Sequence, residues 1–138
     1  MKTIVLFLNL IVAVMTVAAQ DQIASRNADE ATLVKNYPSF SWTETSYDFG
    51  KVASGSPVTH EFTFINNGTV PMLISGVQAS CGCTVAEFSK DPIAPGASGF
   101  VKATYNASRI GVFTKSITVN ANTETGVVRL QIKGEVIE

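Results

Sequence analysis

The sequence predicts an all-β fold, an antiparallel sandwich of about seven strands, and three observations carry that prediction. Apolar and polar residues alternate with period two in several separate runs. Thr, Val, Ile and Phe dominate those runs, as strands prefer. Gly, Pro, Asn and Ser cluster between them, and no helical pattern alternates with the strands.

The chain opens differently. Met1-Lys2 is a short basic start, and Ile4-Val5-Leu6-Phe7-Leu8 begins an apolar stretch that resumes after Asn9. Val17-Ala18-Ala19 then supplies small side chains ahead of polar Gln20-Asp21-Gln22. That three-part plan predicts a secretory signal over residues 1–19. A spanning helix needs about 20 predominantly apolar residues, and this run is shorter. No Cys follows the cut, so a lipid anchor is not indicated, and no later segment is apolar enough to span a bilayer. Residues 20–38 carry a thin apolar face of Ala24, Ala28, Ala31, Leu33 and Val34, and read as a flexible or partly helical leader.

Residues 39–138 read as the sandwich domain. Ser39-Phe40-Ser41-Trp42-Thr43 alternates with both aromatics on one face. Ser46-Tyr47-Asp48-Phe49-Gly50 places Asp48 at a strand-turn junction, where its carboxylate is expected to accept from backbone N–H groups. Val58, His60, Phe62 and Phe64 share one face, with Thr59, Glu61 and Thr63 on the other. Phe113, Ile117 and Val119 oppose Thr114, Ser116 and Thr118; Val128, Leu130 and Ile132 oppose Arg129, Gln131 and Lys133. One buried and one wetted face is the habit of antiparallel sheets. Turn residues punctuate at Gly50, Ser54-Gly55-Ser56-Pro57, Asn66-Asn67-Gly68, Pro95-Gly96, and residues 108–111 and 120–126. The pattern suits an immunoglobulin-like arrangement.

Charge excludes several functions. The 10 Lys and Arg nearly balance the 11 Asp and Glu, and losing Lys2 with the signal makes the balance slightly more acidic. The charges are scattered singly, so neither the basic face that nucleic acid requires nor a polybasic membrane patch is present. No nucleophile elbow, phosphate-cradling loop or metalloprotease motif occurs, and the expectation is a protein that is not an enzyme. Arg109 falls in a turn and reads as a solvated charge.

The chemically distinctive element is Cys81-Gly82-Cys83-Thr84. The two cysteines are too close in sequence to tie two sheets together, and a bridge between them would stabilise little because its loop is so short. Fully extended, their Cα atoms would lie about 6.5–7 Å apart, whereas a relaxed bridge prefers about 5.5–6 Å. The backbone must bend, and Gly82 is expected to permit it. Three readings stand: a local, reducible disulfide, a thiolate pair for a soft metal such as copper, or two reduced, packed, inert thiols. His60, the only histidine, lies on an apolar strand face. It reads either as a core or edge side chain with a backbone partner or as a third ligand beside Cys81 and Cys83.

Asp48-Phe49-Gly50, the Phe62 to Gly68 strand and turn, Ser80-Cys81-Gly82-Cys83-Thr84, Ile93-Ala94-Pro95-Gly96 and Gly134-Glu135-Val136 occur in that order. Together they resemble an exported bacterial family known as domain of unknown function 1573, over residues 40–136. The resemblance rests most on Cys81 and Cys83 with Gly82 and Thr84 as support. It implies an immunoglobulin-like domain of the Hydin and major-sperm-protein kind. It also implies a Bacteroidetes-like, Gram-negative setting in the periplasm or at the cell surface. No activity and no cofactor follow from it. The expected function is a binding or scaffold module for an envelope protein or glycan; the alternative is thiol redox or copper handling at the Cys pair.

Overall fold

The computed structural model describes residues 36–138. The expected signal over 1–19 and most of the expected leader lie outside the described residues. Eight strands form two four-stranded sheets. In chain order they are β1 (Phe40–Trp42), β2 (Ser46–Ala53), β3 (Val58–Asn66), β4 (Ile74–Ala79), β5 (Thr84–Phe88), β6 (Ser98–Tyr105), β7 (Gly111–Ala121) and β8 (Val127–Ile137). The first sheet runs β1-β3-β6-β5 and the second β2-β8-β7-β4. Among the described residues every regular element is a strand, so no helix there is long and apolar enough to cross a membrane.

The alternation read from sequence sets which side chains meet between the sheets. Phe62 and Phe64 of β3, Ile117 and Val119 of β7, and Leu130 and Ile132 of β8 are all buried. Val101 and Ala103 of β6 complete the centre. At roughly 25 cal/mol per Å² of apolar surface removed from water, this layer is the main stabilising term. Phe40 and Trp42 stack at 4.9 Å and both rings rest on Phe64, which ties the short β1 to the core.

One pairing departs from the antiparallel expectation: β2 runs parallel to β8. The cause is a change of sheet without a change of direction. β1 leaves the first sheet at Thr43, which still bonds Thr63, and Thr45 already accepts from Gln131 of β8. β2 therefore arrives with the heading β1 gave it. Its register shifts between Asp48 and Lys51. Gly50 takes φ +65° in that bulge, which moves the inward phase from Tyr47 and Phe49 to Val52.

Candidate functional site

The cysteine element is a corner between sheets. β4 is an edge of the second sheet and β5 an edge of the first, and Ser80 to Cys83 carries the chain from one to the other. Three residues of the corner have anchors. Ser80 donates its N–H to Ser116 O at 2.9 Å and its Oγ accepts from Ser116 N at 3.1 Å, holding the start of the corner on β7. Thr84 N–H reaches back to Cys81 O at 3.3 Å, closing a four-residue turn. Cys83 O accepts from Asn106 N at 3.1 Å, at the end of β6.

Within that turn Cys81 and Cys83 are joined by a disulfide, with their Cα atoms 5.3 Å apart. The turn thus supplies the bend that an extended chain lacks. Both cysteines are half-buried, and Cys83 packs against the core. Thr84 is buried, and its Oγ1 lies 3.7 Å from Cys81 Sγ. A disulfide sulfur has no proton, so the hydroxyl donates. Gly82 is exposed, and its role differs from the one expected. It does not use the left-handed region, and a Cβ added there would meet nothing within 4 Å. The bend is made by the turn, not by glycine's freedom.

The bridge opens into a cleft lined by Tyr105, Asn106, Ser108, Arg109 and Lys115. Tyr105 forms its floor, buried and stacked on Phe113 at 4.1 Å between ring centroids. Asn106 Oδ1 accepts from Ser108 N, and the buried Ala107 between them holds φ 51°, an uncommon conformation outside glycine. This turn carries Arg109. Lys115 arrives by another route. It occupies an inward-phased position of β7, between Phe113 and Ile117, and is only half-buried. β4 parts from β7 at Ser80, and just beyond that point Lys115 lines the cleft. Among the described residues neither Arg109 nor Lys115 has a carboxylate partner, and none lines the cleft. Sequence reading passed over Lys115, although a lysine in phase with Phe113 and Ile117 was a signal.

His60 is elsewhere. Its Nε2 meets Glu44 Oε1 at 2.8 Å, and its ring stacks nearly parallel on Tyr47 with the centroids 3.6 Å apart. Its partner is a side chain, not the expected backbone group, and it does not line the cleft of Cys81 and Cys83. Among the described residues no three His, Cys, Asp or Glu side chains are placed to share a metal ion.

The other residues that carry the family resemblance have packing roles. Asp48 Oδ1 accepts from Gly50 N at 2.8 Å, the expected backbone bond, but it does so at a bulge inside β2 and not at a strand-turn junction. Asn66 is fully buried: Oδ1 accepts from Ser39 N and Gly68 N, while Nδ2 donates to Val70 O and Ile93 O. Gly68 passes so near Tyr37 and Pro38 that a Cβ would fall 2.4 Å from Tyr37 O. Gly134 lies against Gly50 O and the Phe113 ring, each 2.9 Å from where its Cβ would be.

The family model described as protein of unknown function (DUF1573) matches residues 40–136, and the chain belongs to that family. No curated protein matches the sequence. Among solved structures, the fold is similar to a protein of unknown function from Porphyromonas gingivalis W83, with 18% identity and TM-score 0.65 over 77% of this chain and 50% of that one. It is also similar to the secreted serine protease VesC of Vibrio cholerae, with 20% identity and TM-score 0.54 over 75% of this chain and 24% of that one. The PapD-like domain 7 of human CEP192 is matched at 14% identity and TM-score 0.58 over 75% of this chain and 88% of that domain. The chain thus spans half or less of the first two. The likeness establishes an immunoglobulin-like, PapD-like sandwich.

Proposed function

We propose that this DUF1573 protein is an exported, non-enzymatic binding module of the bacterial envelope that takes an extended segment of a protein partner along β5. One observation carries the reading: among the four sheet edges, β5 alone is both regular and longer than three residues. β1 has only three residues. β2 and β4 carry register shifts, between Asp48 and Lys51 and between Ile74 and Gly76. β5 pairs with β6 residue for residue from Thr84 to Phe88 and hydrogen-bonds to a strand on that side only. Short or bulged edges resist pairing with another chain, and a regular edge accepts it. Strand addition to such an edge is a recurring mode of peptide recognition.

The side chains along β5 give the addition a character. Val85 is exposed, and Glu87 sits beside Lys102 of β6 in a ladder that also reaches Glu61. An incoming strand would meet one apolar and one acidic side chain on its outer face. The apolar starting segment of residues 1–19 supports export, and the resemblance to an exported bacterial family supports the periplasm or cell surface as the setting.

Crosslinking with an amine-reactive reagent in intact envelopes, followed by mapping of the linked lysines, tests the proposal. Lys90 and Lys102 flank β5, and linkage to a partner is expected there. Linkage confined to Lys51 and Lys133, on the second sheet, would refute edge pairing at β5.

A further inference from the structure

We infer that the Cys81–Cys83 disulfide is an exchange site for thiols that carry a neighbouring carboxylate. Two independent features of the corner converge on this. The first is the bridge itself. It is half-exposed, it spans only one intervening residue, and that residue, Gly82, is itself exposed. Accessible bridges are the ones that exchange. The second is the cleft. Arg109 and Lys115 reach it from separate elements, one from the turn after β6 and one from mid-β7, and no carboxylate among the described residues neutralises either. Cations beside a cysteine pair favour the thiolate over the thiol. They also favour an incoming group that brings negative charge. The inference stands apart from partner binding at β5: the bridge exchanges or does not, whatever pairs with the edge.

The exchange proceeds in two balanced steps. An external thiolate attacks Cys83 Sγ. The new sulfur–sulfur bond forms as the Cys81–Cys83 bond breaks, and the electron pair leaves on Cys81 Sγ. The Thr84 hydroxyl, already directed at that sulfur, stabilises it as the departing thiolate, which then takes a proton from water. A second external thiolate attacks the first external sulfur. The external disulfide departs, and Cys83 leaves as thiolate and is protonated in turn. The protein disulfide gains two electrons, and two external thiols lose them. Oxidation of the reduced pair by an external disulfide is the same path reversed.

The test uses the oxidised protein, acid quenching and intact mass. Glutathione and a short peptide with Cys between two Glu residues represent the small-molecule and protein sources of one chemistry. Cysteamine, a cationic thiol, is the comparison at equal thiolate concentration. Glutathione, the acidic peptide or both should reduce the bridge faster than cysteamine, and whichever is faster identifies the source. Arg109→Gln and Lys115→Gln should each shrink that advantage by roughly two- to fivefold, the range of exposed charge pairs. The advantage should also fall as salt rises. With oxidised glutathione, Cys81→Ser should form its mixed disulfide faster than Cys83→Ser, since Cys83 is the sulfur that exchanges with the external thiol. Cysteamine matching or outrunning both acidic thiols would overturn the inference. So would a bridge that none of the three reduces while the protein stays folded.

Discussion

Replacing Asn66 by Ala should destabilise the domain by about 3 kcal/mol, because the side chain is a fully buried hub and not a surface turn residue. Four hydrogen bonds end on its amide: Ser39 N at 3.3 Å, Gly68 N at 3.0 Å, Val70 O at 2.8 Å and Ile93 O at 3.0 Å. Each is worth about 1 kcal/mol net. Only the bond to Ile93 is buried throughout, so the other three backbone groups regain part of their hydration and the sum falls below about 4 kcal/mol. Urea unfolding followed by the fluorescence of Trp42 reads the loss, and the melting temperature should fall by about 12–20 °C. Asn66→Asp makes the reasoning sharper. It keeps the acceptor for Ser39 and Gly68 but turns an oxygen toward two carbonyls that need a donor. Burial and those carbonyls raise the folded-state pKa of the new carboxyl above its unfolded value. The folded state then binds more protons than the unfolded one across that interval, so stability falls as pH rises through it. A loss under about 1 kcal/mol for Asn66→Ala, or Asn66→Asp stability that is flat or rising with pH, would refute the hub.

The glycines separate into required and dispensable ones. Gly68→Ala places a methyl against the backbone at Tyr37 and Pro38, and should cost about 3 kcal/mol in the same urea assay. Gly82→Ala adds a methyl that meets nothing beyond its chain neighbours and should change stability by no more than about 0.5 kcal/mol in that assay. His60→Ala removes the stack on Tyr47 and the contact with Glu44, so the melting temperature should fall. The exchange rate of the Cys pair, measured by intact mass, should be unchanged because His60 does not line that cleft.

Much of the sandwich was legible because strict alternation in β3, β7 and β8 leaves no freedom over which face is buried. β2 and β4 were harder to read for one physical reason. Each contains a register shift, so the period breaks within the strand, and Gly50 reads as a boundary when it is a bulge inside β2. The parallel β2–β8 pair was hidden because alternation says which way a side chain faces and nothing about strand direction. Asn66 reads as turn punctuation, since an Asn before Asn-Gly has a local explanation; its burial depends on contacts 27 residues away at Ser39 and Ile93. At the candidate site, the Cys pair was plain in the sequence, and its spacing excluded a staple between sheets. Its surroundings were not plain. Arg109 comes to the cleft from the turn after β6 and Lys115 from mid-β7, a juxtaposition that only the folded chain makes.

The buried core between the sheets is built without the disulfide, which leaves the sulfur pair free for chemistry. Paired urea unfolding of the oxidised and reduced protein tests this most directly. For so short a loop, the chain-entropy term is about 1.5 kcal/mol. The reduced protein should therefore keep the native fluorescence and near-ultraviolet circular dichroism and lose about that much stability. A reduced protein that unfolds, or that loses about 4 kcal/mol or more as when a small secreted domain loses a structural bridge, would contradict the account.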